Sequence, residues 1–205
     1  MTANPQSARD DLAFLRALVD DDDSAGSRTF GEGYLAAGLI YGGQMLLHAM
    51  QAMGWIGGSG LAALAIGFGP TVLFVPVMTW IVVRNRANPV RGTVARAVGG
   101  MFAVVGLANL VLVAVIGSVA WREGSVTTWL IYPCAVFVLQ GAAWLFAFTM
   151  RRRPWLLGVA LGWFACAVAM ALTVTMTGYF ILFAGLGLWL CMALPGLIML
   201  PRKDG

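Results

Sequence analysis

The chain has 205 residues, of which 60% are hydrophobic and 11% charged, and its formal net charge is +4. A soluble domain usually carries about 25% charged residues, and a chain with half that density cannot cover its surface with polar groups. An ordinary soluble globular protein is therefore excluded.

Charged residues are absent from four segments, 33–83, 97–121, 124–150 and 154–201. A membrane-spanning helix needs about 20 apolar residues, so the two shorter segments hold one span each and the two longer segments hold two. This pattern predicts an all-α polytopic membrane protein of six transmembrane helices packed as three helical hairpins, with a short amphipathic helix before them. The spans are predicted at 33–53, 61–83, 97–119, 126–149, 155–176 and 179–200, between an acidic leader (1–32) and a short basic tail (202–205).

The leader is predicted to contain its own helix. Residues 1–32 carry three arginines and seven acidic residues, whereas 33–205 carry ten basic and two acidic residues. Apolar side chains at Leu12, Leu15 and Val19 share one helical face, which predicts an amphipathic helix over 8–19 and then a flexible acidic stretch to Arg28. This face could lie on the membrane interface or dock on a protein surface, either the protein's own basic loops or a cytoplasmic partner.

Polar residues recur along the first span at Tyr34, Tyr41, Gln44, His48 and Gln51, within an arc of about 100°. Such a stripe should face the bundle interior or a wet cavity. It could hydrogen-bond neighbouring helices or bind a ligand, and polar residues of the third and fourth spans could complete it. The candidate ligand-binding residues are Tyr41, Gln44, His48, Gln51, Asn109, Tyr132 and Gln140.

His48 is the single histidine. It could be a hydrogen-bonded core residue, a pH sensor or a ligand to a chromophore, although one histidine cannot form a bis-His haem site within one chain. Cys134, Cys166 and Cys191 fall inside predicted spans, where thiols usually act as small hydrophobic groups. No disulfide, metal or cofactor is expected. Because no catalytic motif occurs and the polar segments are short, we expect neither an enzyme nor direct nucleic-acid binding.

Basic residues cluster in alternate connections and are expected to set the orientation. Under the positive-inside rule both termini are cytoplasmic. These arginines could serve orientation alone or also bind anionic lipid headgroups, since no acidic residue is near them in sequence. The candidate headgroup residues are Arg84, Arg86, Arg91, Arg151, Arg152 and Arg153.

Two small-xxx-small patterns, Gly38-x-x-x-Gly42 and Gly158-x-x-x-Gly162, allow helix backbones to approach closely. We expect this packing within the chain, with a homo-oligomer as the alternative.

The leader segment 11–20 (DLAFLRALVD), followed by a compact six-span body, resembles small uncharacterised bacterial inner-membrane proteins, some of them paired with winged-helix transcription regulators. The resemblance implies a cytoplasmic protein partner for the leader. We therefore expect a regulatory or binding subunit that senses lipid or a small ligand in the bundle. The alternative is a small transporter or channel for a neutral or hydrophobic solute, with the first-span stripe lining its path.

Overall fold

A computed structural model describes residues 5–57, 60–86 and 92–200, and the side chains of 28–57, 60–62, 64–86 and 92–200. These residues form a helical bundle. In chain order its helices are α1 (Pro5–Ala52), α2 (Gly60–Asn85), α3 (Thr93–Glu123), α4 (Val126–Arg151), α5 (Pro154–Leu172), α6 (Thr177–Leu188), a π-helical segment (Trp189–Ala193) and α7 (Leu194–Ile198).

Five helical stretches of the described chain are long and apolar enough to cross a membrane: α2, α3, α4, α5 and the run Thr177–Ile198. The helical, membrane-spanning class predicted from the sequence is therefore confirmed. The second half of α1 is not among the five, since Gln44, His48 and Gln51 make it more polar. It is nevertheless well enclosed, with Tyr34 and Ala37 buried in the bundle.

The leader is continuous with the first predicted span. One helix of 48 residues runs from Pro5 to Ala52, a length of about 72 Å at 1.5 Å per residue. The flexible stretch expected up to Arg28 is therefore wrong. Extending an existing helix needs no new nucleus, and Arg28 Nε donates to Glu32 Oε1 at 3.1 Å across one turn. The side chains of Leu12, Leu15 and Val19 lie outside the described residues, as do Arg91 and the tail 202–205.

Tight caps close the two turns beside α4. Gly124 ends α3 in the left-handed region (φ 61), and its N–H reaches the carbonyls of Ala120 and Trp121. Ser125 Oγ then accepts from the N–H of Thr128 at 3.1 Å and caps α4. At the far end Arg152 adopts a left-handed conformation (φ 53), and Pro154 starts α5. Arg151, Arg152 and Arg153 are therefore held together in the α4–α5 turn.

Glycines determine how closely α1 approaches α6 and α7. A Cβ at Gly38 would overlap the backbone of Ala193, and one at Gly196 would overlap the backbone of Leu35. The predicted packing of Gly38 and Gly42 within the chain is confirmed, because Gly42 lies against Trp189. Gly162 lies against Cys191, whereas Gly158 has open space beside it.

Helix pairing differs from three separate hairpins. The predicted pairs α1–α2, α3–α4 and α5–α6 are all in contact, but the most extensive packing joins α4 to α5 and α1 to α6. The second half of α1 therefore lies between α2 on one side and α6 and α7 on the other. This arrangement leaves α2 and α3 at the two ends of the series of packed helices, where they flank a gap.

Candidate functional site

A cavity of about 440 Å³ lies between α2 and α3, at the end of the bundle where α3 starts and α4 ends. Its lining is mostly apolar and comes from α1 to α5, from the π-helical segment and from Met199, which follows α7. The lining includes the aromatic Phe30, Tyr34, Phe74, Phe102, Trp144 and Trp155, the methionines Met78, Met192 and Met199, the small Gly33, Ala37, Ala95, Gly99 and Ala147, and the polar Thr29 and Arg151.

The back wall of the cavity is an aromatic cluster. Phe30 stacks on Tyr34 with ring centroids 4.7 Å apart, and Phe102 of α3 lies 4.7 Å from Phe30. Trp144 of α4 meets Tyr34 edge-on at 5.4 Å and lies 5.9 Å from Trp155 of α5. Edge-to-face and offset contacts of this kind are favourable beyond their buried area. Four helices are thus joined at one point.

Tyr34 also organises the polar groups behind this wall. Its hydroxyl donates to Gln140 Oε1 at 2.6 Å and accepts from Trp144 Nε1 at 3.1 Å. Tyr34 and Trp144 are buried, with 7% and 1% of their surface exposed. Because these hydrogen bonds are made within the protein, the wall offers a ligand apolar surface.

The α3 side of the cavity is open at Gly99. Gly99 lines the cavity and is exposed, and a Cβ built there would meet nothing within 4 Å. The outward residues of α2 and α3, such as Phe68 and Leu107, are also exposed. On a membrane-spanning bundle such faces contact lipid, so the cavity is accessible from the side, between two lipid-facing helices.

An ionic cluster holds the α2 wall at the same end of the bundle. Glu32 of α1 pairs with Arg84 of α2, accepts from Asn85 Nδ2 at 3.0 Å, and accepts from Arg28 within α1. Burial alone would raise the pKa of Glu32, but hydrogen bonds from Asn85, Arg28 and Arg84 and the charge of Arg84 lower this pKa below its ordinary value. Glu32 is thus a charged link between α1 and α2.

The polar stripe predicted on α1 divides between different neighbours. Tyr34 points to α4, whereas the ring of Tyr41 lies 5.1 Å from the ring of Phe74 in α2, in a tilted arrangement. Gln44 Nε2 donates to the carbonyl of Gly67 in α2 at 3.0 Å. His48 Nδ1 lies 3.2 Å from Gln51 Oε1 on the same helix.

The predicted partners on α3 and α4 are also dispersed. Gln140 joins Tyr34, but Tyr132 stacks on Trp129 of its own helix at 5.3 Å. The Oδ1 of Asn109 is buried without a hydrogen-bond partner among the described residues. None of the seven candidate ligand residues lines the cavity within the part of the chain that the structure describes. Their role in ligand binding stays a prediction.

The predicted headgroup arginines occupy different environments. Arg151 lines the cavity, and Arg152 and Arg153 follow it in the exposed turn. Arg84 is engaged by Glu32 and also lies 4.2 Å above the ring of Trp80. Arg86 is exposed at the end of α2. Only part of the predicted basic set is therefore next to the cavity.

The cavity residues themselves were not identified from the sequence. Phe30, Phe74 and Phe102 are apolar residues among many, and Trp155 is the first residue of a predicted span. Two lining residues do have a signal in the sequence: Tyr34, the first polar residue of the α1 stripe, forms part of the back wall, and Arg151 is one of the predicted headgroup arginines. No pattern of spacing links residues that come from separate helices.

The chain matches no protein-family model, no curated protein and no solved structure. Its class therefore rests on its own helices, and they are those of a multi-pass integral membrane protein. Within the described ranges, no three His, Cys, Asp or Glu side chains come together as metal ligands would.

Proposed function

We propose that this protein is a non-enzymatic, six-span inner-membrane protein that binds a lipid or a small apolar ligand in the cavity between α2 and α3. In this proposal it acts as a regulatory or binding subunit, and its leader engages a cytoplasmic partner. The observation that carries the proposal is the aromatic-lined cavity beside Gly99, which is open towards the lipid-facing surface.

The size and chemistry of the cavity support a small ligand. Its volume of about 440 Å³ falls in the range of about 300–1,000 Å³ typical of small-molecule sites, which are mostly apolar with a few polar groups. A ligand that arrives from the bilayer gains little from the hydrophobic effect, because the lipid tails are already apolar. Its affinity must come from close packing against rings such as Phe30 and Trp144, and from polar contacts at one end.

The orientation and the sixth span belong to the same proposal. We propose that residues 33–52 of α1 cross the membrane as part of the bundle, which brings both termini to the cytoplasm. Arginines at the ends of α2 and α4 support this side as cytoplasmic. A cysteine placed at Ser125, in a cysteine-free background, should react only with reagent added from the outside. One placed at Ser24 should react only from the cytoplasmic side, and the opposite pattern would exclude this topology.

The leader is proposed to bind its partner through the apolar face of its helix. Exposed ion pairs contribute only about 0–1 kcal/mol, so the apolar face, at about 1.5–3 kcal/mol for each fully buried side chain, must supply most of the affinity. Leu15→Asp should abolish co-purification of a cytoplasmic protein and leave the bundle folded. Retention of the same protein by Leu15→Asp would exclude this face as the docking surface.

Ligand binding in the cavity can be tested by filling its opening. Gly99→Phe introduces a ring where a Cβ meets open space, so the helix should still fold while the cavity loses room. Gly106→Phe is the matched control, because Gly106 lies on the same helix, is equally open and does not line the cavity. Small molecules and lipids that remain with each detergent-purified variant are quantified by mass spectrometry.

The expected result is a retained molecule in the wild type and in Gly106→Phe that is lost in Gly99→Phe. Equal retention in all three proteins, or no retained molecule in any of them, would contradict the proposal. Elution volume and thermal midpoint confirm that the two glycine variants are folded to the same extent.

A further inference from the structure

We infer that the occupant of the cavity is an anionic phospholipid of the surrounding bilayer, with an acyl chain against the aromatic wall and its headgroup beside Arg151. This inference rests on the proposed function and specifies the ligand of that site. It combines three observations: the position of Arg151 in the lining, the distribution of charge around this end of the bundle, and the open side of the cavity at Gly99.

Arg151 is the cationic residue in an otherwise mostly apolar lining. It belongs to the last turn of α4 and is partly buried, while Trp144 and Ala147, on earlier turns of the same helix, line the cavity deeper in the bundle. The site therefore has an apolar interior and a positive end. This polarity matches a molecule with an apolar chain and an acidic head.

Further basic residues lie next to Arg151 at this end of the bundle. Arg152 and Arg153 continue from Arg151 in the exposed turn, and Arg96 follows the lining residue Ala95 on α3. The carboxylate of Glu32 is held by Arg28, Arg84 and Asn85, and Glu123 is at the opposite end of α3.

The open side of the cavity indicates where the ligand comes from. Gly99 leaves a gap in the α3 wall, and the exposed apolar faces on both sides of it are the surfaces that lipid tails contact. A phospholipid in the adjoining leaflet has its headgroup at the level of the arginines and its chains at the level of Gly99. It can enter sideways without leaving the membrane.

The test uses the full-length protein in nanodiscs of phosphatidylcholine that contain increasing fractions of brominated phosphatidylglycerol or brominated phosphatidylcholine. Bromine on the acyl chain quenches tryptophan fluorescence on contact, and Trp144 and Trp155 line the cavity. Quenching by lipid around the outside of the bundle is removed by subtracting the signal of Gly99→Phe. What remains is the quenching that depends on an open cavity.

We expect phosphatidylglycerol to reach half of this cavity-dependent quenching at about one fifth of the mole fraction that phosphatidylcholine needs, the effect of roughly one basic contact with an anionic headgroup. Arg151→Gln should remove the preference, Arg151→Lys should keep most of it, and Arg122→Gln, at the opposite end of the bundle, should leave it unchanged. High salt should weaken it in the wild type, which tests the charge effect without any substitution.

Three other outcomes would each refute a stated part of the inference. Equal quenching by both lipids, with Arg151→Gln and salt without effect, refutes the anionic headgroup and leaves cavity binding intact. A brominated fatty acid is added to the same nanodiscs as a further probe. If it quenches and phosphatidylglycerol does not, the phospholipid is refuted as the occupant. If Gly99→Phe quenches like the wild type with every lipid, the cavity takes no lipid chain and lipid binding in the proposed function fails with it.

Discussion

The two sides of α1 are packed in different ways. Towards α6 and α7 the backbones approach so closely that Gly38 and Gly196 leave no room for a methyl group. Towards α2 the contacts are made by side chains, chiefly Gln44 with Gly67, Tyr41 with Phe74, and Glu32 with Arg84. Ile81 is the one hydrophobic residue of α2 that is buried, among those whose side chains are described.

This difference indicates which part of the bundle can accommodate a ligand. Backbone-to-backbone packing fixes the distance between two helices, since either helix can move only by losing many contacts at once. A helix held by a few polar contacts can shift at a smaller cost. The cavity lies on the α2 side, between the loosely held helix and α3, and the rigid α1–α6 side supports its aromatic back wall through Tyr34.

The largest effect is expected at the rigid side. Gly38→Ala places a methyl group on the backbone of Ala193, so the helices must separate, and overpacking of this kind usually lowers the free energy of unfolding by about 1–3 kcal/mol. Gly43→Ala is the matched control, because a Cβ at Gly43 meets nothing within 4 Å. The thermal midpoint in detergent should fall for Gly38→Ala and stay or rise for Gly43→Ala. Equal midpoints would show that this interface is not tight.

A smaller effect is expected at the ionic link to α2. Glu32→Gln removes the charge that binds Arg84 and Asn85. A hydrogen bond to a charged group contributes about 1.5–3 kcal/mol to stability, but the Arg84 side chain is 37% exposed, and exposure to solvent weakens such a contact. We therefore expect the free energy of unfolding to fall by about 1–2 kcal/mol. The end of α2 should then move. Spin labels at Arg86 and Arg153 should show a broader distance distribution in Glu32→Gln than in Glu123→Gln, the control at the other end.

The same link should respond to acid in a defined direction. The pKa of Glu32 is lowered in the folded protein, so its contribution to stability is complete above the ordinary glutamate pKa of about 4.3 and is lost as the pH falls through the lower folded value. The label distances should therefore be constant from neutral pH down to this range and broaden only below it. Broadening that begins near neutral pH would implicate another group.

The class and most of the helices could be predicted because the charge-free segments record which residues meet lipid. The predicted ends of the spans agree with the observed ends of α2, α3, α4 and α5 to within a few residues. The continuity of α1 could not be predicted, because an acidic stretch such as 20–23 carries no sign of whether the neighbouring helix extends through it. The stripe on α1 was identified as polar, but its division between α2 and α4 depends on how the helices are arranged around it.

The cavity could not be predicted for a related reason. It forms where Phe30, Phe102 and Trp144 meet. Phe102 and Trp144 are apolar residues in apolar helices, indistinguishable in sequence from residues that face lipid, and Phe30 lies in the segment predicted as the acidic leader. Polar residues are few in such a sequence, and the predicted ligand-binding residues are all polar for this reason. Several of them form hydrogen bonds between helices or within one helix.

The smallest effect on stability is expected for the polar residues of α1, and it distinguishes a hydrogen bond to another helix from one within α1. Gln44→Leu removes a hydrogen bond to the carbonyl of Gly67 in α2. Gly67 is next to Ile66, whose carbonyl has no helical donor because Pro70 lacks an N–H. Hydrogen bonds between membrane helices contribute about 0.6 kcal/mol on average, so a small fall in the thermal midpoint is expected. Leu47→Ala is the control, because Leu47 is 43% exposed.

His48→Leu should change the midpoint less than Gln44→Leu, since the contact of His48 with Gln51 stays within one helix and links no second element. The order of the three variants is therefore the measurement: Gln44→Leu largest, with His48→Leu and Leu47→Ala both close to the wild type. If His48→Leu has the largest effect, His48 has a partner beyond its own helix. An accompanying loss of a retained molecule would identify that partner as a ligand, and the binding site would then lie along the α1 stripe.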